Sequence, residues 1–146
     1  SVQAADLVFR KLINRNGDVI DKYINLVREE INIKDERAQP FVKQLHYHLG
    51  ILSKFTDWIK EKIKNSPEDA SGACNDYLKV LGLVATGHAW LKVLEVSFNE
   101  YDSNKDFYED KIQTANFFYN RILPRIDSNY ITATTGSNYI MNYKFN

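Results

Sequence analysis

The chain has 146 residues, of which 44% are hydrophobic and 26% charged, with 19 basic side chains cancelling 19 acidic ones. This is one domain of ordinary size, long enough to build a core without disulfide or metal staples. Its balanced charge gives no field that steers polyanions, which argues against a nucleic-acid role, and no uninterrupted apolar run approaches the ~18 residues of a membrane span.

The apolar spacing is helical almost throughout, broken by only three prolines and six glycines. A first helix is predicted over about 2–14, with Leu7, Val8 and Leu12 about a turn apart, ending at Asn16-Gly17 where glycine accepts a left-handed cap. Asp18 reads as the N-cap of a second helix whose inward face is Ile20, Tyr23, Ile24, Val27 and Ile31. The third helix, about 36–64, carries the stripe Leu45, Leu49, Leu52, Thr56, Ile59 and Ile63, widened by Phe41, Ile51, Phe55 and Trp58. Pro40 falls near its first turn, where proline is tolerated.

Ser66-Pro67-Glu68-Asp69 is a helix start with Ser66 as N-cap, Pro67 at the first position and acids in the first turn. The fourth helix then spans about 67–101, with Tyr77, Val80, Leu81, Val84, Leu91, Leu94, Phe98 and Tyr101 on one stripe. Gly82, Gly87, Ala85 and Ala89 along its middle imply the close approach of a neighbouring helix. After a turn at 102–104, a fifth helix carries Phe107, Tyr108, Ile112, Ala115, Phe118, Tyr119 and Ile122, and is bent or ended at Pro124. The remainder, 132–146, rich in Thr, Asn and Gly, reads as a loosely structured tail with a short turn at 139–142. The fold class is all-α, an antiparallel bundle of about five helices.

Self-contained chemistry is hard to find. The sequence has no dinucleotide or phosphate-binding glycine loop, no Cys-x-x-Cys and no His-Glu-x-x-His. His46 and His48, two residues apart, lie about 200° apart around a helix and cannot share a metal face; both read as surface or groove residues. His88 reads as a buried histidine satisfied by a carbonyl, and no histidine follows a glutamate by three residues, which excludes a di-iron bundle. Cys74 has no base partner in sequence; as the only cysteine it suits a reducing, cytoplasmic setting. Lys60, Lys62 and Lys64, interleaved with Asp57 and Glu61, read as a solvated face rather than a membrane contact.

Two stretches go beyond composition. Residues 77–84, leading to Gly87-His88-Ala89-Trp90, and residues 107–118, running on to Arg121-Ile122-Leu123-Pro124-Arg125, resemble the extra C-terminal helical domain of a bacterial branch of the acyl-CoA dehydrogenases. Phe107, Tyr108, Lys111, Thr114, Ala115, Phe117, Phe118, Arg121, Leu123 and Pro124 fit the pattern of that branch. Residues 2–12 are similar to the helix that follows the family's catalytic loop, with Phe9 where many relatives have glycine.

The resemblance implies an FAD-dependent oxidoreductase that removes hydrogen from the α and β carbons of an acyl-CoA thioester. Acyl-CoA and an electron-transfer flavoprotein are then its partners, and a homo-oligomer its state. The glutamate base is expected just before Ser1, so the chain itself carries no catalytic residue; it reads as an inactive fragment that covers the enzyme core and supports dimerisation. Gln3 matches a position that lies against FAD, while Lys111 and Arg121 read as structural ion-pair residues. The implied organisation is 1–16 as the end of the core, 17–131 as the extra bundle and 132–146 as tail. Two other readings stand beside it: a free-standing helical module that docks a partner in an apolar groove, and a membrane-surface contact domain.

Overall fold

A computed structural model of the chain describes residues 2–13 and 18–145. Among the described residues there is no strand. The first helix begins as α1 (Val2–Asp6) and widens into a π-type turn over Leu7–Ile13. The expected stop at Asn16-Gly17 and the capping by Asp18 lie outside the described residues. Then come α2 (Asp18–Glu30), α3 (Gln39–Asn65), α4 (Pro67–Asn99), α5 (Lys105–Phe117) and α6 (Arg125–Phe145).

The central parts of the predicted α3 and α4 stripes are buried, whereas Leu7 of the first helix and Phe107 of α5, also expected on stripes, are exposed. Leu45, Leu49, Leu52, Phe55, Thr56 and Ile59 of α3 are all closed to solvent, as are Tyr77, Val80, Val84, Leu91 and Leu94 of α4. Thr56, the polar member of its stripe, donates to the Leu52 carbonyl at 2.7 Å, so its oxygen accepts the Tyr77 hydroxyl, also at 2.7 Å. That bond ties α3 to α4 and leaves no buried hydroxyl without a partner at the junction.

Helix α4 is the axis of the bundle and touches α1, α3, α5 and α6. By length and composition it could span a membrane, with an 18-residue window of mean hydropathy 1.2, a third of it buried. A core helix packed on several sides needs the same composition. Its two mid-helix glycines differ. A methyl group on Gly87 would sit 3.1 Å from Leu45 and 3.3 Å from Leu123, whereas one on Gly82 would meet nothing within 4 Å. The close approach expected at both is therefore found at Gly87 alone, and Ala85 and Ala89 are exposed. Gly82 keeps its helix cost of roughly 0.8–1.0 kcal/mol relative to alanine without a packing return.

Connections differ from expectation in two places. Ser66 stands between α3 and α4, but its hydroxyl makes no capping bond; its N–H instead closes α3 on the Lys62 carbonyl at 2.7 Å. Among the described residues, side-chain caps are made by Asp35, which accepts from the Arg37 N–H at 2.9 Å, and Asn104, which accepts from the Phe107 N–H at 3.3 Å.

Near Pro124 the expected fifth helix divides in two. The backbone widens over Phe118–Ile122, with the Leu123 N–H reaching the Phe118 carbonyl at 2.9 Å, before α6 starts. Proline lacks an N–H and crowds the preceding turn, so a wider turn relieves the clash at the break. Helix α6 then takes in residues expected in the tail. Ala133 packs on the core, and the Thr134 and Thr135 hydroxyls donate to the Tyr130 and Ile131 carbonyls at 2.8 and 2.6 Å. Residues 132–135, expected as the start of a loose tail, are therefore helical.

Candidate functional site

The residues with reactive side chains are mostly spent on structure. Cys74 is fully buried, donates to the Ala70 carbonyl at 3.1 Å, and has its thiol pushed up to about 11 by burial. A thiol held that high is neutral near pH 7 and a poor nucleophile. His46 is exposed as expected, but His48 is not a surface residue: it is 4% exposed, facing α6. Burial lowers its pKa, partly opposed by the Asp127 carboxylate, and its Nδ1 has no hydrogen-bond partner. One turn before it, the buried Oε1 of Gln44 is likewise unpartnered.

His88 was expected to bond a carbonyl. Instead its Nε2 lies 2.6 Å from the Glu30 carboxylate at the end of α2, without good hydrogen-bond alignment. Lys92, one turn along α4, holds the same carboxylate at 3.0 Å and keeps the Glu30 carboxyl below its usual range, with His88 adding to the effect. Of the lysine cluster, Lys60 reaches back to Asp21 of α2 at 2.7 Å and Lys62 lies over the Trp58 ring at 5.7 Å. Two of the three therefore do structural work.

The two stretches singled out in the sequence meet in space. Tyr119, fully buried in the wide turn after α5, donates its hydroxyl to the Gly87 carbonyl of α4 at 2.6 Å. Phe118 and Leu123 pack against the bare Gly87 backbone from the same side. Burial raises the Tyr119 phenol, so it remains a neutral donor across the ordinary pH range. Ala115 is buried with them, Phe117 is exposed, Thr114 bonds back to the Asp110 carbonyl at 2.9 Å, and Arg121 is exposed with no ion pair among the described residues.

What these stretches do not bury forms a cleft of about 450 Å³ between α4 and α5. Trp90, Val93 and Val96 supply one wall; Phe107, Tyr108 and Lys111 supply the other. Val96 is 51% exposed and Phe107 48% exposed, and the Lys111 ammonium sits 5.1 Å from the Phe107 ring centre. Lys111 thus makes a cation–π contact rather than the expected ion pair. The cleft is apolar, open and rimmed by cations, with no reacting group in it. Sequence reading missed it because Trp90, Val93 and Val96 repeat every three residues beside the dominant Leu91–Leu94 stripe. That second, parallel series was the available signal.

A family described as acetyl-CoA dehydrogenase C-terminal like matches residues 19–144 of this chain. The chain belongs to that family. No curated protein matches it. The match runs past the two quoted stretches, through residue 144, and takes in α2 to α6. In this acetyl-CoA dehydrogenase C-terminal-like domain, the resemblance-bearing residues divide: Ala115, Phe118 and Leu123 are buried against the core, while Phe107, Tyr108 and Lys111 line the open cleft.

Among the described residues, none assembles a flavin slot around Gln3. Gln3, the position aligned with a flavin contact, is exposed on α1 and lines neither the α4–α5 cleft nor a second cleft at the start of α6. One exposed amide supplies neither the slot nor the flanking donors that an isoalloxazine ring requires.

Proposed function

We propose that the chain is the C-terminal helical domain of an FAD-dependent acyl-CoA dehydrogenase, inactive by itself, with a structural role in dimerisation. The glutamate base expected ahead of Ser1 and the flavin site belong to the rest of that enzyme. The parent would remove the α-proton of an acyl-CoA and pass hydride from the β-carbon to FAD. Electrons would then go to an electron-transfer flavoprotein in the cytoplasm.

The observation that supports this reading is how the residues where α4 meets α5 are used. Gly87, Ala115, Phe118, Tyr119 and Leu123 are committed to packing, and what remains is the open apolar cleft of Trp90, Val96 and Phe107. An apolar patch flanked by polar residues suits burial against another protein surface.

Sedimentation equilibrium tests the role. The wild-type chain self-associates, and Val96→Asp or Phe107→Asp weakens association about tenfold or more while the helical circular-dichroism signal stays unchanged. A monomeric wild type, or association indifferent to both substitutions, overturns the dimerisation reading. The purified chain is colourless and does not turn over acyl-CoA with a dye acceptor. A stoichiometric flavin band, or turnover, overturns the placement of the chemistry elsewhere.

A further inference from the structure

Gly82 sits in the middle of α4 with nothing packed on it, so its presence is not explained by the neighbouring helices. It lies instead in a second cleft, about 640 Å³ in volume, between the outward face of α4 and the start of α6. Lys79, Leu83 and Thr86 of α4 line the cleft on one side; Arg125, Ser128 and Asn129 of α6 line it on the other.

No acidic residue lines this cleft. Among the described residues neither Lys79 nor Arg125 has an ion-pair partner. Asp127, two residues past Arg125, is engaged elsewhere, acting on Tyr47 and His48. Two cations facing one cleft without a counter-charge repel each other and favour an anion between them. Arginine offers a planar fork matched to oxyanions, lysine a mobile point charge, and Ser128 and Asn129 add neutral donors.

The missing Cβ of Gly82 is the second observation. A side chain there would project into the cleft, whereas glycine leaves the helix backbone open to close approach. The cleft volume lies within the range of small-molecule sites and exceeds what a bare inorganic ion needs.

We propose that the α4–α6 cleft binds a small phosphorylated molecule, with its phosphate between Lys79 and Arg125 and its carbon portion over Gly82 and Leu83. Two cations suit the dianionic charge of a phosphate ester better than a lone carboxylate. The site is separate from the apolar α4–α5 cleft and does not depend on the dimerisation reading.

Amide chemical-shift titration of the full chain with pyrophosphate and inorganic phosphate, at constant ionic strength, tests it. The expected result is saturable shifts confined to residues 79–86 and 125–129, stronger for pyrophosphate. Lys79→Gln and Arg125→Gln each weaken binding about tenfold, the loss of one charge-assisted contact. Gly82→Ala weakens binding as well while raising the melting temperature by about 2–4 °C, because a better helix former replaces glycine. Those opposite signs separate a ligand role from a fold role. Binding unchanged by Gly82→Ala, shifts that acetate or chloride reproduces equally, or no saturation at millimolar phosphate overturns the proposal.

Discussion

At the scale of single residues, identical side chains do different work depending on what faces them. Gly87→Ala must push a methyl against Leu45 and Leu123, and should cost about 1–3 kcal/mol as overpacking, measured by urea denaturation. Tyr119→Phe removes one buried hydrogen bond to a carbonyl and should cost about 1 kcal/mol in the same measurement. His48 carries a pH signature. Its pKa is lowered in the fold, so the unfolded chain takes up the proton first. Stability is then full above pH ~6.5 and falls as pH drops below that value towards the folded pKa. His48→Leu should flatten that part of the stability–pH curve, and an unchanged slope would assign the effect to another group. Of these, only the close contact at Gly87 was readable from sequence. Histidine at position 48 and glycine at position 82 look the same on a helical wheel whether or not a neighbour stands opposite them.

At the scale of elements, periodicity carried most of the information. The five expected helices are present, because Leu45–Ile59 on α3 and Tyr77–Leu94 on α4 form stripes with one interpretation. Boundaries set by competition between caps were less legible. Ser66 has the right chemistry, yet the turn is closed by its backbone N–H, while Asp35 gains its capping role beside a two-point pairing with Arg37. The division of the fifth helix was half legible: Pro124 announces a break, but the wide turn before it depends on Phe118, Tyr119 and Leu123 finding room on α4. Leu123→Ala should therefore cost about 2–5 kcal/mol, since the side chain is fully buried at the point where two helices meet. A cost below 1 kcal/mol would show that the wide turn is not anchored there.

At the scale of the whole molecule, the family was legible because two stretches kept specific residues at fixed spacing, and the structure shows why: they pack on each other. The α4–α6 cleft was not legible, since its walls, residues 79–86 and 125–129, lie far apart in sequence. Helix α1 and the π-type turn after it belong to the same core as the rest, contributing Ala4, Val8 and Ile13. Removing residues 1–17 should destabilise the bundle by about 3 kcal/mol or more, from the lost burial of Val8 and Ile13 alone. An unchanged melting temperature would make α1 an appendage.

The wide turn over Phe118–Ile122 also governs where the chain tolerates changes in length. It already holds one residue more per turn than a regular helix does, so a further inserted residue could not be absorbed and would rotate everything downstream by about 100°. Ile126 and Tyr130 would swing off the core, and Arg125 would leave its place opposite Lys79. The link between α4 and α5, with exposed Asp102, Ser103 and Asn104, has no such phase to keep. Insertions and deletions should accumulate at that link and spare the segment before Pro124.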